Sequence, residues 1–210
     1  PSGFPSPPPA ERNFEGIPNA LIFRVRRAFE SLTVRDRAVI EEEHGRLQTA
    51  VEIQPAALYR VLYEIDDYIV PNMPWSFMDM GCGSGVALSV ATLMGASFAS
   101  GIEISRQVAR SSEGIIDEVS AAPVTVRSGD ILTMGNFSSM CRPTDQQLVV
   151  YAFSAGMRED IKMKIADMCC TDNRVSMFVM VDYPDRDRKQ ARLRENLTKN
   201  GDFRVIRKFT

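Results

Sequence analysis

The chain has 210 residues, 44% of them hydrophobic and 25% charged, with a net charge of −2. That length is enough for one domain with a full core, or one domain with a small appendage. The near-balanced charge excludes a wholly basic nucleic-acid binder but leaves local patches open. His44 is the single histidine, and the four cysteines form no CxxC pair and no Cys/His ligand spacing. A zinc site and a Ser/His/Asp triad are therefore not expected, and no metal is assigned. Free cysteines and 11 methionines suit a reducing compartment. No apolar run approaches the roughly 18 residues of a membrane span, and no signal peptide is visible. A start at Pro1 rather than methionine reads as a fragment.

Residues 1–16, opening PSGFPSPPPA, are too rich in Pro, Ser and Gly to bury much, and read as a flexible arm. Residues 17–50 read as an N-terminal helical extension, with Leu21, Ile22, Val25 and Phe29 at helical spacing. Thr33 followed by Asp36 resembles a capping signal for a second segment, Val34 to Leu47. The arginines from Arg24 to Arg37 face either an acidic partner or solvent.

Residues 51–210 form the predicted core. Gln54-Pro55 opens a helix whose buried stripe is Leu58, Val61, Leu62, Ile65 and Ile69, closed by Pro71 and Pro74. Strands are then predicted over 75–80, 98–103, 124–126, 147–153, 175–182 and 203–209. Helices are predicted between them over 86–94, 105–119, 158–168 and 187–200. This alternation gives an α/β fold with a doubly wound, mostly parallel sheet and helices on both faces.

The first strand ends in Gly81-Cys82-Gly83-Ser84-Gly85 and runs straight into a helix. Glycine there lets a ligand approach the backbone closely. Alone, the pattern fits dinucleotides, flavins, S-adenosylmethionine or an empty turn. Three acids discriminate. Asp79 stands just before the turn, where a carboxylate would repel a pyrophosphate but suits an ammonium and a sulfonium. Glu103 ends the second strand, placed to accept from a ribose diol, with Ile104 beside it. Asp130 follows the third strand, placed to accept from an adenine amino group while Ile131 covers the ring. Each acid also has a plainer role: Asp79 and Asp130 as turn caps, Glu103 as a cap of the next helix.

Taken in order, these residues resemble the class I S-adenosylmethionine-dependent methyltransferases, over roughly residues 75 to 182. That resemblance implies the Rossmann-like fold and S-adenosylmethionine as cofactor. It also implies a cofactor site at Asp79, Gly81, Cys82, Gly83, Gly85, Glu103, Ile104, Asp130 and Ile131. VEIQPAALYRVLYEID, FMDMGCGSGVALSVATLMGASFASGIEISRQVA and SGDILT further resemble the disruptor-of-telomeric-silencing family. Its members are non-SET lysine methyltransferases acting on the globular core of nucleosomal histone H3. The resemblance places Glu52 at the position of the glutamate that reaches the cofactor's amino-acid end, with Val51 where the family has glycine. It implies a nuclear chromatin enzyme whose partner is histone H3 in the nucleosome, acting as a monomer away from membranes.

The acceptor side is less specified. No Asn/Asp-Pro-Pro-aromatic motif follows the fourth strand. Tyr151-Ala152-Phe153-Ser154-Ala155 stands where the family commonly has Asn-Asn-Phe-Ala-Phe. Tyr151 is expected to position a lysine amine and Phe153 to wall its channel, ring faces favouring a methylammonium product; the alternative is that both rings are core. No general base is evident, so proton loss to solvent and alignment are expected to carry the reaction. Nine basic residues between Arg186 and Lys208, against Asp187, Glu195 and Asp202, could contact DNA phosphates or the acidic histone surface, or simply face solvent. An RNA or small-molecule methyltransferase, and a binding module with a vestigial pocket, stay open as alternatives.

Overall fold

The computed structural model describes residues 55–66, 68–70, 72–137, 140–141, 147–154 and 157–181. The arm, the helical extension, Glu52, the basic stretch 186–208, and the helix and strand expected over 187–200 and 203–209 lie outside the described residues.

Helix α1 spans Pro55–Asp66, and strand β1 spans Trp75–Met80. Helix α2 is Val86–Leu93, β2 Phe98–Glu103, α3 Arg106–Val119 and β3 Val124–Ser128. A short 3-10 turn, Ile131–Thr133, leads toward β4, Gln147–Phe153, then α4, Glu159–Thr171, and β5, Val175–Val181. The five strands lie in the order β3-β2-β1-β4-β5, and every adjacent pair is parallel. The order reverses between β1 and β4, which opens a crevice at their carboxyl ends, where ligands of such sheets bind.

Strand β1 is buried at all six positions, as expected of a central parallel strand covered on both faces. Period-2 alternation sends its odd residues to one face and its even residues to the other. Trp75, Phe77 and Tyr151 join Leu58, Leu62, Leu88 and Val108 of α1, α2 and α3 in one core. Met78, Met80 and Val150 join Ile165 and Met168 of α4, with Phe137, in the other. Four of the five residues of the expected stripe are buried on α1, Leu58, Val61, Leu62 and Ile65 each at most 6% exposed, while Ile69 lies past the helix end and is partly buried. Helix α1 ends at Asp66, before the two prolines. The connection that follows is tied to the sheet by Gln147, whose Oε1 accepts from the Val70 N–H at 3.0 Å. Its Nε2 donates to the Val70 and Met73 carbonyls.

The remaining boundaries move by a few residues for local reasons. Ser105 is the N-cap of α3, its hydroxyl accepting from the Val108 N–H. Strand β3 runs on to Ser128 because Glu103 at the end of β2 still pairs with it. Helix α4 continues to Thr171, beyond the expected 168. No helix among the described residues is long and apolar enough to cross a membrane.

Candidate functional site

The carboxyl end of β1 turns sharply because Gly81 adopts φ 95° and Gly85 φ 78°, left-handed conformations that favour glycine. The loop hangs from one point on β2. The N–H groups of Gly81 and Cys82 both donate to the Ile102 carbonyl, at 2.9 and 3.0 Å. Space is as demanding as conformation. A Cβ on Gly81 would meet Met157 Cε at 2.9 Å, and one on Gly85 would meet Ile116 and Ser112 of α3 at 3.1–3.2 Å. The third glycine of the motif therefore serves helix–helix packing as well as the turn.

Glu103 is 6% exposed and clamps the loop. Its Oε2 accepts from the Gly83 N–H at 3.1 Å, and its Oε1 accepts from the Ser105 N–H at 2.9 Å. Part of the capping role is thus real, although the N-cap of α3 is Ser105. Each carboxylate oxygen keeps a further lone pair, since an ionised carboxylate offers about four acceptor sites. Ile104, beside it, is a large apolar side chain 52% exposed. Past the end of the neighbouring strand β3, Asp130 is half-buried, and its Oδ1 accepts from the Leu132 N–H at 2.9 Å as the cap of the 3-10 turn. Ile131 packs against the second core, and Leu132 is exposed. Glu103 and Asp130 thus stand at or just past the ends of the adjacent strands β2 and β3, flanked by the exposed apolar side chains of Ile104 and Leu132.

Asp79 lies one residue inside the tip of β1 and is 3% exposed. It shares one rung of the sheet with Gly101 of β2 and Tyr151 of β4. Tyr151 is buried, 5.6 Å from the Phe77 ring at a 31° tilt. Burial, and then the charge of Asp79, push its phenol far above the ordinary tyrosine range, so it stays protonated. Its Oη has no hydrogen-bond partner among the described residues. Phe153, two residues on, is half-buried at the end of β4. Ser154 is consumed structurally, its N–H and its hydroxyl both donating to the Val181 carbonyl of β5.

Sequence reasoning passed over two contributors. Gly101 carries no special φ, yet a Cβ there would lie 2.6 Å from Cys82 Cβ and Sγ. The glycine loop can fold over β2 only because that residue has no side chain. A glycine inside a strand is a signal of close backbone approach. Met157 gave no such signal; its place over Gly81 depends on how the chain returns from β4. At the start of α4 the exposed Arg158 pairs with Asp160, which holds the Asp160 carboxyl below the usual carboxylate range. No group of three or more His, Cys, Asp or Glu among the described residues is placed to hold a metal.

No protein-family profile and no curated protein matches the sequence. Solved structures do match in fold. The magnesium protoporphyrin IX methyltransferase of Synechocystis PCC 6803, solved with bound S-adenosylmethionine, is 12% identical. The match covers 79% of this chain and 86% of that one, at a TM-score of 0.50. A Thermoplasma acidophilum structure is 11% identical, over 84% and 76% of the two chains, at a TM-score of 0.53. A Pyrococcus horikoshii protein provisionally described as an RNA methyltransferase is 16% identical, at a TM-score of 0.47. The match covers 67% of this chain and 63% of that one, so this chain spans less than two thirds of its length. Among the described residues, the parallel sheet of five strands has the Rossmann-like fold of the class I methyltransferases.

Proposed function

We propose that the protein is an S-adenosylmethionine-dependent lysine methyltransferase that acts on the globular core of histone H3 in nucleosomes, as a monomer in the nucleus. The observation that carries the cofactor reading is the clamp at Glu103. One buried carboxylate holds the glycine loop by the Gly83 N–H and keeps acceptor capacity at the mouth of the crevice. The residues present fit the cofactor. Glu103 would accept from the ribose diol, Asp130 would accept from the adenine amino group, and Ile104 and Ile131 would cover the ring. Asp79 supplies negative charge toward the amino-acid end, as does Glu52 by its family position. The backbone of Gly81, Cys82, Gly83 and Gly85 leaves room for the chain of the ligand.

When bound, S-adenosylmethionine supplies a sulfonium methyl for in-line displacement by a neutral amine. The chain's own part is binding, alignment and exclusion of water. Phe153 walls the acceptor channel at the end of β4, and its ring face favours the methylammonium product. The lysine loses its proton to solvent before it attacks, helped by apolar surroundings that disfavour its charged form.

The histone target rests on the sequence resemblance and on the basic stretch 186–208, suited to DNA phosphates or the acidic histone surface. The test is labelled methyl transfer from S-adenosylmethionine to reconstituted nucleosomes, free H3 peptide and RNA in parallel, with mass spectrometry of the products. Modification of a core H3 lysine on nucleosomes, and none on the peptide, is expected. Transfer to the peptide alone sinks the nucleosomal reading. Label in RNA or metabolites with none in histones favours the alternative acceptors.

A further inference from the structure

Tyr151 carries a group that packing does not require. Phenylalanine would fill the same volume in the core and make the same contact with Phe77, without taking a hydroxyl out of water. The hydroxyl is present, shut from solvent, and has no hydrogen-bond partner among the described residues. Its position is not arbitrary. Tyr151 stands opposite Asp79 across the β1–β4 pair, on the same face of the sheet, two residues short of the end of β4. Two residues beyond Asp79 the glycine loop begins. A neutral phenol offers one donor and acceptor lone pairs, and the nearby carboxylate adds to burial in keeping it neutral.

An ammonium entering a water-poor site has three N–H donors, each costly if left without an acceptor. A single carboxylate supplies the countercharge but does not fix the direction of all three. We propose that Tyr151 is a positioning residue for the amino-acid end of the cofactor, its Oη accepting a hydrogen bond from the α-ammonium that Asp79 neutralises. The inference rests on the methyltransferase reading and deepens it. It moves Tyr151 from the acceptor lysine, where the sequence placed it, to the cofactor's own amino group. The phenol proton is then free to donate to the Asp79 carboxylate, tying the two side chains into one cradle.

The test is Tyr151→Phe, titrated calorimetrically with two probes. S-adenosylhomocysteine carries the amino-acid end; 5′-methylthioadenosine has the same nucleoside and thioether without it. Loss of one hydrogen bond to a charged group is expected to weaken S-adenosylhomocysteine about tenfold or more, with 5′-methylthioadenosine unchanged. The thermal midpoint of the unliganded variant should stay level or rise, because no bond within the fold is lost. Equal weakening of both probes, or no weakening of either, overturns this inference and leaves the cofactor reading intact. A wild-type protein that binds neither probe overturns both.

Discussion

The two sides of the crevice are built differently. On the side of β1, β2 and β3 the backbone itself is constrained. Two loop N–H groups share the Ile102 carbonyl, Glu103 clamps Gly83 and Ser105, and Gly101 makes room for Cys82. On the side of β4 and α4 the described rim is a matter of side chains. Phe153 is half-buried, Met157 lies over Gly81, and Ser154 is spent on β5. A site that demands unusual backbone leaves glycines and acids at fixed spacing. A site made of side-chain surface leaves only a residue type, which core packing would select as well. The first side therefore carries the ligand reading proposed above, and the second carries none for the acceptor.

The sharpest way to break this contrast is at Gly101. Gly101→Ala places a Cβ 2.6 Å from Cys82 and 2.9 Å from Leu88, in a core with no slack. Overpacking of this kind should cost about 3 kcal/mol, read by denaturant unfolding. The same change at Gly114 in α3, where a Cβ would meet nothing within 4 Å, should instead stabilise by about 0.5–1 kcal/mol. If both variants behave alike, the close approach at Gly101 is not what shapes the loop.

Glu103→Gln keeps the shape of the clamp but can accept on only one oxygen, leaving an N–H of Gly83 or Ser105 facing an amide nitrogen. A stability loss of about 2 kcal/mol is expected. A fall of tenfold or more in S-adenosylhomocysteine affinity by calorimetry should accompany it. A third comparison separates the two sides directly. Asp130→Ala should weaken the cofactor about tenfold, with about 1 kcal/mol lost from the cap on Leu132. Phe153→Ala should leave cofactor affinity unchanged and slow methyl transfer on the order of tenfold. Should Phe153→Ala weaken the cofactor and spare transfer, the division of the crevice is wrong.

The smallest expected effect lies far from the crevice. Asp172, at the end of α4, accepts side-chain hydrogen bonds from Arg174, which lower its carboxyl below the usual range. A depressed carboxylate contributes stability above its unfolded pKa, near 4, and loses it as pH falls through the folded value. The pair is partly exposed, so the contribution should be under about 1 kcal/mol. Asp172→Asn should remove it and flatten the acid limb of stability against pH below about pH 4.

Much of the fold was legible because its signals are local. β1, β2 and β4 begin and end where alternating and continuous apolar runs do, since buried parallel strands need such runs. The glycine loop and the acids at 79, 103 and 130 were legible because only a few backbones satisfy that spacing. Helix α4 overran its expected end because nothing at Met168 stops a helix, and Asp172 then supplies the C-cap. Met157 over Gly81 was not legible, because the contact joins residues 76 apart without a pattern in either segment. The burial of Tyr151 was only half legible. Period-2 alternation put it on the same face as Val149, but gave no hint that Asp79 would be its neighbour across the sheet.

The most direct measurement is a crystal grown with S-adenosylhomocysteine. The nucleoside is expected between Ile104 and Ile131, with its ribose hydroxyls donating to Glu103 and its adenine amino group donating to Asp130. A crevice filled by the chain's own side chains, or a ligand bound away from Glu103, would contradict the account.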